Sequence, residues 1–283
     1  MTMADFDGSL AELPRGPEGL ATTDDALARL RERLPRFLEE RVANAGADRL
    51  VVGLDGGVET ALAATFAVEA VGRDRVTGLV MPAFLSHEAI SRNAEAIATS
   101  LGIEHRRLQL QPVLAAFQET VGGSDGPADD LVATNNALSR LRMACTYYVA
   151  NTTNALVVGT VNRTQFLLGS FTKHGETGAD CLPFVSLFRT EVEALARAVG
   201  LPEELTVETS GSPLHPGESP AAAVGVPPEI VDRILGACVD RGVDTATAAE
   251  RTGVDPSTVE RLAEWCDRTR HKRRYPVTPA TDT

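Results

Sequence analysis

LVVGLDGGVET, residues 50–60, decides how this chain is read. Residues 50–54 are an apolar run of the right length for a buried strand. Gly56 and Gly57 follow at once, and residues 58–71 read as a helix with alanine, leucine and phenylalanine on its buried side. Strand, glycine turn and helix together point backbone N–H groups and a helix N-terminus at an anion, usually a phosphate. The same loop carries two carboxylates, Asp55 and Glu59. A carboxylate about 4 Å from a phosphate oxygen repels it by roughly 1 kcal/mol in water and roughly 4 kcal/mol at a half-buried site. Asp55 also has an ordinary structural role open to it, as N-cap of the following helix.

Outward from this loop, strands alternate with helices. Helices are expected at 24–44, 58–71, 86–100, 112–120, 134–151, 190–200, 228–242, 245–252 and 256–270, and strands at 49–54, 75–81, 104–110 and 155–160. Residues 121–130 form an acidic loop, and 161–183 and 210–228 are further loops. The alternation predicts an α/β fold, a doubly wound parallel sheet flanked by helices, with a C-terminal helical extension. Ligands of such sheets sit at the carboxyl ends of the strands, where the loops after residues 54 and 160 both belong. A flexible tail (1–23), one domain (24–279) and a short tail (280–283) are expected.

The chain has 283 residues and a net charge of −12, which argues against a general binder of nucleic acid or anionic membranes. No apolar run reaches the roughly 18 residues that span a bilayer, and no basic-then-apolar leader opens the sequence, so a cytoplasmic protein is expected. Cys145, Cys181, Cys238 and Cys266 have no paired spacing and read as isolated buried thiols. Lys and Arg together number 27, yet only Lys173 and Lys272 are lysines. Codon bias explains such a preference for arginine. A lysine that survives it suggests a need for a compact ammonium.

Six segments resemble the motifs of one family. DGGVET (55–60) stands where a pyrophosphatase loop, S-G-G-x-D-S, would stand. NALSRLRM (136–143) resembles N-x-x-x-R-x-R-M, GTVNRTQF (159–166) resembles G-T-x-N-R-[ST]-E-F, and FTKHGETGAD (171–180) resembles F-T-K-x-G-D-G-x-x-D. LFRTEV (187–192) resembles L-Y-K-T-E-V, and HKRRYP (271–276) resembles H-K-R-R-x-P. Their order and spacing resemble the ammonia-dependent NAD synthetases, N-type ATP pyrophosphatases with an adenine nucleotide α-hydrolase-like, Rossmann-like fold.

The resemblance implies ATP-dependent amidation of deamido-NAD with ammonia, with Mg2+ between the phosphates. By position it implies that Gly56, Gly57, Glu59, Thr60, Thr160 and Arg189 bind ATP. Arg140, Lys173, Asp180, His271 and Lys272 would hold deamido-NAD, and Glu59 and Gln165 stand at the metal-ligand positions. It also implies a homodimer with the substrate near the interface, or a pairing with a related synthetase. The departures cluster on the nucleotide. Asp55 replaces serine, Glu59 replaces aspartate, Gln165 replaces a glutamate ligand and Glu176 replaces aspartate. Gly211 replaces an ATP-contacting hydroxyl, and Pro220 with Ala221 replaces an acidic pair. Weak or lost activity is the consequence expected, and the alternative is a catalytically silent relative that binds a dinucleotide or a synthetase subunit. Of Arg140 and Arg142, two apart on one helix, one is expected to meet ligand and the other a structural carboxylate. Residues 245–262 resemble a helix-turn-helix, a nucleic-acid reading that the overall charge opposes.

Overall fold

The computed structural model describes residues 13–84, 88–122, 130–202 and 225–274. The strands are β1 (Arg49–Leu54), β2 (Val76–Val80), β3 (Glu104–Arg107) and β4 (Ala155–Val158). They form one parallel sheet in the order β3-β2-β1-β4. Parallel pairing needs long crossovers, and helices supply them. The helices around the sheet are α1 (Asp24–Ala45), α2 (Val58–Val71), α3 (Glu88–Leu101), α4 (Gln111–Gly122), α5 (Leu131–Thr153), α6 (Arg163–Leu168) and α7 (Arg189–Ala198), of which α2, α3 and the α4–α5 pair are the crossovers. The C-terminal extension is α8 (Pro228–Leu235), α9 (Thr245–Thr252) and α10 (Pro256–Arg268).

β1 shows why the apolar run is continuous. Alternate residues of a strand face opposite sides. Leu50, Val52 and Leu54 pack into a core shared with α1, α2 and α7, with Leu30, Leu62 and Leu195 among their neighbours. Val51 faces the other way, into a core with Leu79, Leu138 and Val149. Both faces are covered, so neither tolerates polar residues. A separate cluster of Leu168, Phe188, Ile234, Val259 and Leu262 fastens the C-terminal helices to α6 and to the residue before α7.

Several expectations change. Residues 161–183 were expected as a loop, but 163–168 form α6. Six residues are too few for a periodic apolar pattern, and the cue that remains is the capping box of Asn162 and Gln165. β3 stops at Arg107, after which single bonds from Leu108 N–H to the Val80 carbonyl (2.8 Å) and from Leu110 N–H to the Pro82 carbonyl (2.8 Å) continue the path. Residues 13–23 do not fray. Leu13, Leu20 and Ala21 are buried, and Ala21 N–H donates to the buried Glu191 carboxylate at 2.6 Å. Cys181 and Cys266 are buried as expected, whereas Cys145 and Cys238 are only half-buried. The expected acidic loop is outside the described residues from 123 to 129. So are Gly211, Pro220 and Ala221.

Candidate functional site

The loop after β1 is held hard against α3. Gly56 has φ +80°, and a Cβ there would come 2.8 Å from the Ile90 carbonyl oxygen. A side chain at this position is strained in backbone and blocked by contact. Helix α2 begins after Gly57, so Gly57 and not Asp55 is its N-cap. The carboxylate of Asp55 instead folds into the loop. Its Oδ1 accepts from Gly57 N–H at 2.9 Å and from the Thr60 hydroxyl at 2.8 Å. Two donors that would suit a phosphate therefore already serve an anion from within the chain.

Register brings a second loop beside the first. Val52 lies opposite Val158, so Thr160 emerges next to the end of β1. Gly159 permits a close crossing there, since a Cβ would meet Ala179 Cβ at 2.8 Å and the Glu176 carbonyl oxygen at 3.0 Å. Asn162, which starts α6, ties the two loops by donating through Nδ2 to Glu59 Oε1 at 3.0 Å. The Gln165 side-chain oxygen Oε1 is committed to the same turn, accepting from Asn162 N–H at 3.0 Å. Burial pushes the Glu59 carboxyl above its ordinary range. Asp55 adds to the rise, while the residue's own backbone N–H, Arg189 and Asn162 oppose it. Arg189, the first residue of α7, donates from Nε to Glu193 Oε1 at 2.7 Å.

Mg2+ is commonly held by one or two carboxylates with phosphate oxygens completing its shell. Glu59 fits as the single protein carboxylate of such a site. Gln165 is a poorer candidate, because it is neutral and its Oε1 already accepts a bond within the capping box. No group of three His, Cys, Asp or Glu suited to a metal occurs among the described residues.

The remaining candidates gather beyond β4. Arg140 donates from Nε to the Lys173 carbonyl at 3.2 Å. Lys173 Nζ donates to the carbonyls of His271 (3.1 Å) and Arg274 (2.9 Å). Lys272 Nζ donates to the Gly169 carbonyl and lies 5.0 Å from the centre of the Phe171 ring. Burial lowers the Lys272 ammonium from its usual range, partly offset by Glu176. His271 keeps Nδ1 3.1 Å from the Arg268 carbonyl. The two lysines thus knit the C-terminal turn onto the loop at 169–174. Asp180 stands apart from them, accepting from the Tyr147 hydroxyl and from Val157 N–H, each at 2.8 Å. An open groove of about 430 Å³ runs beside Arg140, between Phe117 of α4 and Asn136 of α5.

The expectation that one of Arg140 and Arg142 meets a structural carboxylate is corrected. Neither pairs with a carboxylate among the described residues, and Arg142 donates from Nε to the Met81 carbonyl at 3.1 Å. Asn162 and Tyr147 had no assigned role in the sequence. Asn162 lay inside a quoted motif, and its spacing to Gln165 was a usable signal. Nothing in the sequence marked Tyr147 as the partner of Asp180.

Residues 30–276 match the NAD synthase family. The NH(3)-dependent NAD(+) synthetase of Halobacterium salinarum is 34% identical over 253 residues, covering 89% of this chain and 93% of that protein. The protein of the same description from Methanosarcina mazei is 34% identical over 254 residues, covering 89% and 98%. Among solved structures, an NMN synthetase from Francisella tularensis superposes with a TM-score of 0.75 at 28% identity, covering 90% of this chain and 99% of that one. An NH3-dependent NAD synthetase from Campylobacter jejuni gives 0.74 at 26% identity, with the same coverage.

Proposed function

The chain belongs to the NAD synthase family, and from that premise we propose that it amidates deamido-NAD with ammonia at the expense of ATP, at a rate held down by its own loop carboxylate. The observation that carries the reduced rate is the pair of bonds from Gly57 N–H and the Thr60 hydroxyl to Asp55. In the reaction a nicotinate carboxylate oxygen attacks the α-phosphorus of ATP and pyrophosphate leaves. Ammonia then attacks the acyl carbon, AMP departs, and the nitrogen loses a proton. The protein contributes positioning and charge. Gly56, Gly57 and Thr60 would line the pyrophosphate, Thr160 and Arg189 the rest of ATP, and Glu59 would hold Mg2+. When bound, Mg2+ neutralises charge on the departing pyrophosphate. Arg140, Lys173, His271, Lys272 and Asp180 would hold the acceptor.

The likeness to an NMN synthetase supports testing the mononucleotide as acceptor beside the dinucleotide. A homodimer suits the outer surface of α4 and α5, where Phe117, Leu131 and Val132 are exposed beside Arg140. Such an apolar patch marks an association surface. No described helix is long and apolar enough to cross a membrane, in keeping with a cytoplasmic enzyme.

A second reading, a catalytically silent relative that binds a dinucleotide or a synthetase subunit, is favoured by the commitment of Gln165 to the capping box. Product analysis decides between them. The purified protein is incubated with ATP, Mg2+, ammonia and either deamido-NAD or its mononucleotide. Amide formed in step with AMP supports the synthetase. Acceptor binding without amide supports the silent relative.

A further inference from the structure

Arg142 carries a buried donor that has no partner among the described residues. It projects from α5 over the carboxyl ends of the strands, where its Nε is fixed by the Met81 carbonyl at 3.1 Å. Leu54 lies opposite Val80, so Met81 and Asp55 are the next residues on neighbouring strands. Arg142 Nη1 is buried, and among the described residues it has no hydrogen-bond partner. A buried guanidinium N–H without an acceptor is costly, and such groups in native proteins call for an explanation. Asp55 and Glu176 both act on it through charge, yet neither is a hydrogen-bond partner of Nη1. Asp55 meanwhile is exposed, and its present bonds are to donors that nucleotide phosphates would need.

We infer that Arg142 is a positioning residue of the phosphate loop, receiving the Asp55 carboxylate on Nη1 when phosphate displaces it from Gly57 N–H and the Thr60 hydroxyl. This rests on the ATP reading proposed above and supplies what that reading lacks, a destination for the intruding charge. Two anions cannot share the same loop donors. A carboxylate left unpaired beside a bound phosphate would repel it. Moving Asp55 onto an arginine already anchored through Nε satisfies both groups with a change in one exposed side chain. The role differs from direct phosphate binding, because Arg142 acts through Asp55.

A double-mutant cycle separates the two. Binding of ATP with Mg2+ is measured by calorimetry in the wild type, Arg142→Gln, Asp55→Ser and the double variant. Melting curves confirm that each is folded, and Arg142→Lys stands in if the glutamine variant is not. The expected result is a loss of about tenfold from Arg142→Gln with Asp55 present, and less than about twofold once Asp55 is serine. Equal losses in both backgrounds, or no loss in either, would overturn the inference while leaving ATP binding intact. Absence of ATP binding in both the wild type and Asp55→Ser would overturn the nucleotide reading and this inference with it.

Discussion

The loop after β1 and the lysine-bearing segment beyond β4 have met the same compositional pressure differently. At the loop, Asp55 stands where the family pattern has a hydroxyl, and it consumes two phosphate-type donors. Beyond β4, Lys173 and Lys272 persist in a chain otherwise built on arginine. The geometry gives a structural reason beside the substrate one. Lys173 places one ammonium on two carbonyls of the C-terminal turn, and Lys272 fits between the Gly169 carbonyl and the face of Phe171. A compact ammonium lets one nitrogen reach both carbonyls of the turn. Retention of a residue type thus reports on packing as well as on chemistry, whereas the change at Asp55 alters only the chemistry of the loop.

The sharpest break between the two regions comes from Glu59. With Glu59 as the proposed Mg2+ ligand, Glu59→Gln should lower amide formation about a thousandfold, the several kcal/mol that a metal contributes, while leaving acceptor binding intact. Steady-state rates with calorimetry on the acceptor check this, and a variant of near-normal rate would remove Glu59 from the metal site.

Next in size is the scaffold beneath the nucleotide side. Asp232 is fully buried and joins α6 to α7, accepting from the Thr164 hydroxyl, Thr190 N–H and the Thr190 hydroxyl. Burial raises its carboxyl from 3.8 to about 6 despite these bonds. A raised carboxyl means that the folded state holds the extra proton. The associated stability is full below about pH 4 and is lost as pH rises through about 6, a change of roughly 3 kcal/mol. Denaturant unfolding across that window should be flatter by this amount in Asp232→Asn. Parallel curves would show that another group titrates.

On the lysine side, Lys173→Arg should weaken acceptor binding about tenfold, with ATP affinity unchanged, because the fork cannot serve both the turn and the ligand. A loss shared equally between ATP and acceptor would erase the division between the regions. The smallest effect expected is a gain. Asp55→Ser with Gln165→Glu should raise turnover about fivefold, since it relieves repulsion of 1 kcal/mol order at a solvated loop. No gain would show that Asp55 and Gln165 do not limit turnover.

Much of the scaffold was legible because β1 is buried on both faces and α2 follows a glycine turn, so burial and backbone freedom left a plain trace in residues 50–71. The same patterning anticipated the parallel sheet and the C-terminal helices. α6 escaped because six residues carry no periodicity, and the order of residues 13–23 escaped because it depends on Glu191, far along the chain. In the candidate site, residues could be named from the sequence, but their engagements could not. The capping box that occupies Gln165, the Tyr147 bond to Asp180 and the open donor of Arg142 are set by tertiary contact. The N-cap role for Asp55 failed for a local reason, since Gly57 is the N-cap and the carboxylate reaches past it to the Thr60 hydroxyl.

The most direct test of a synthetase restrained by its own loop is pyrophosphate release from ATP with Mg2+, deamido-NAD and ammonia, in the wild type and in Asp55→Ser. The account predicts slow release that requires deamido-NAD and rises in the serine variant. Release independent of deamido-NAD, or equal in the two proteins, would contradict it.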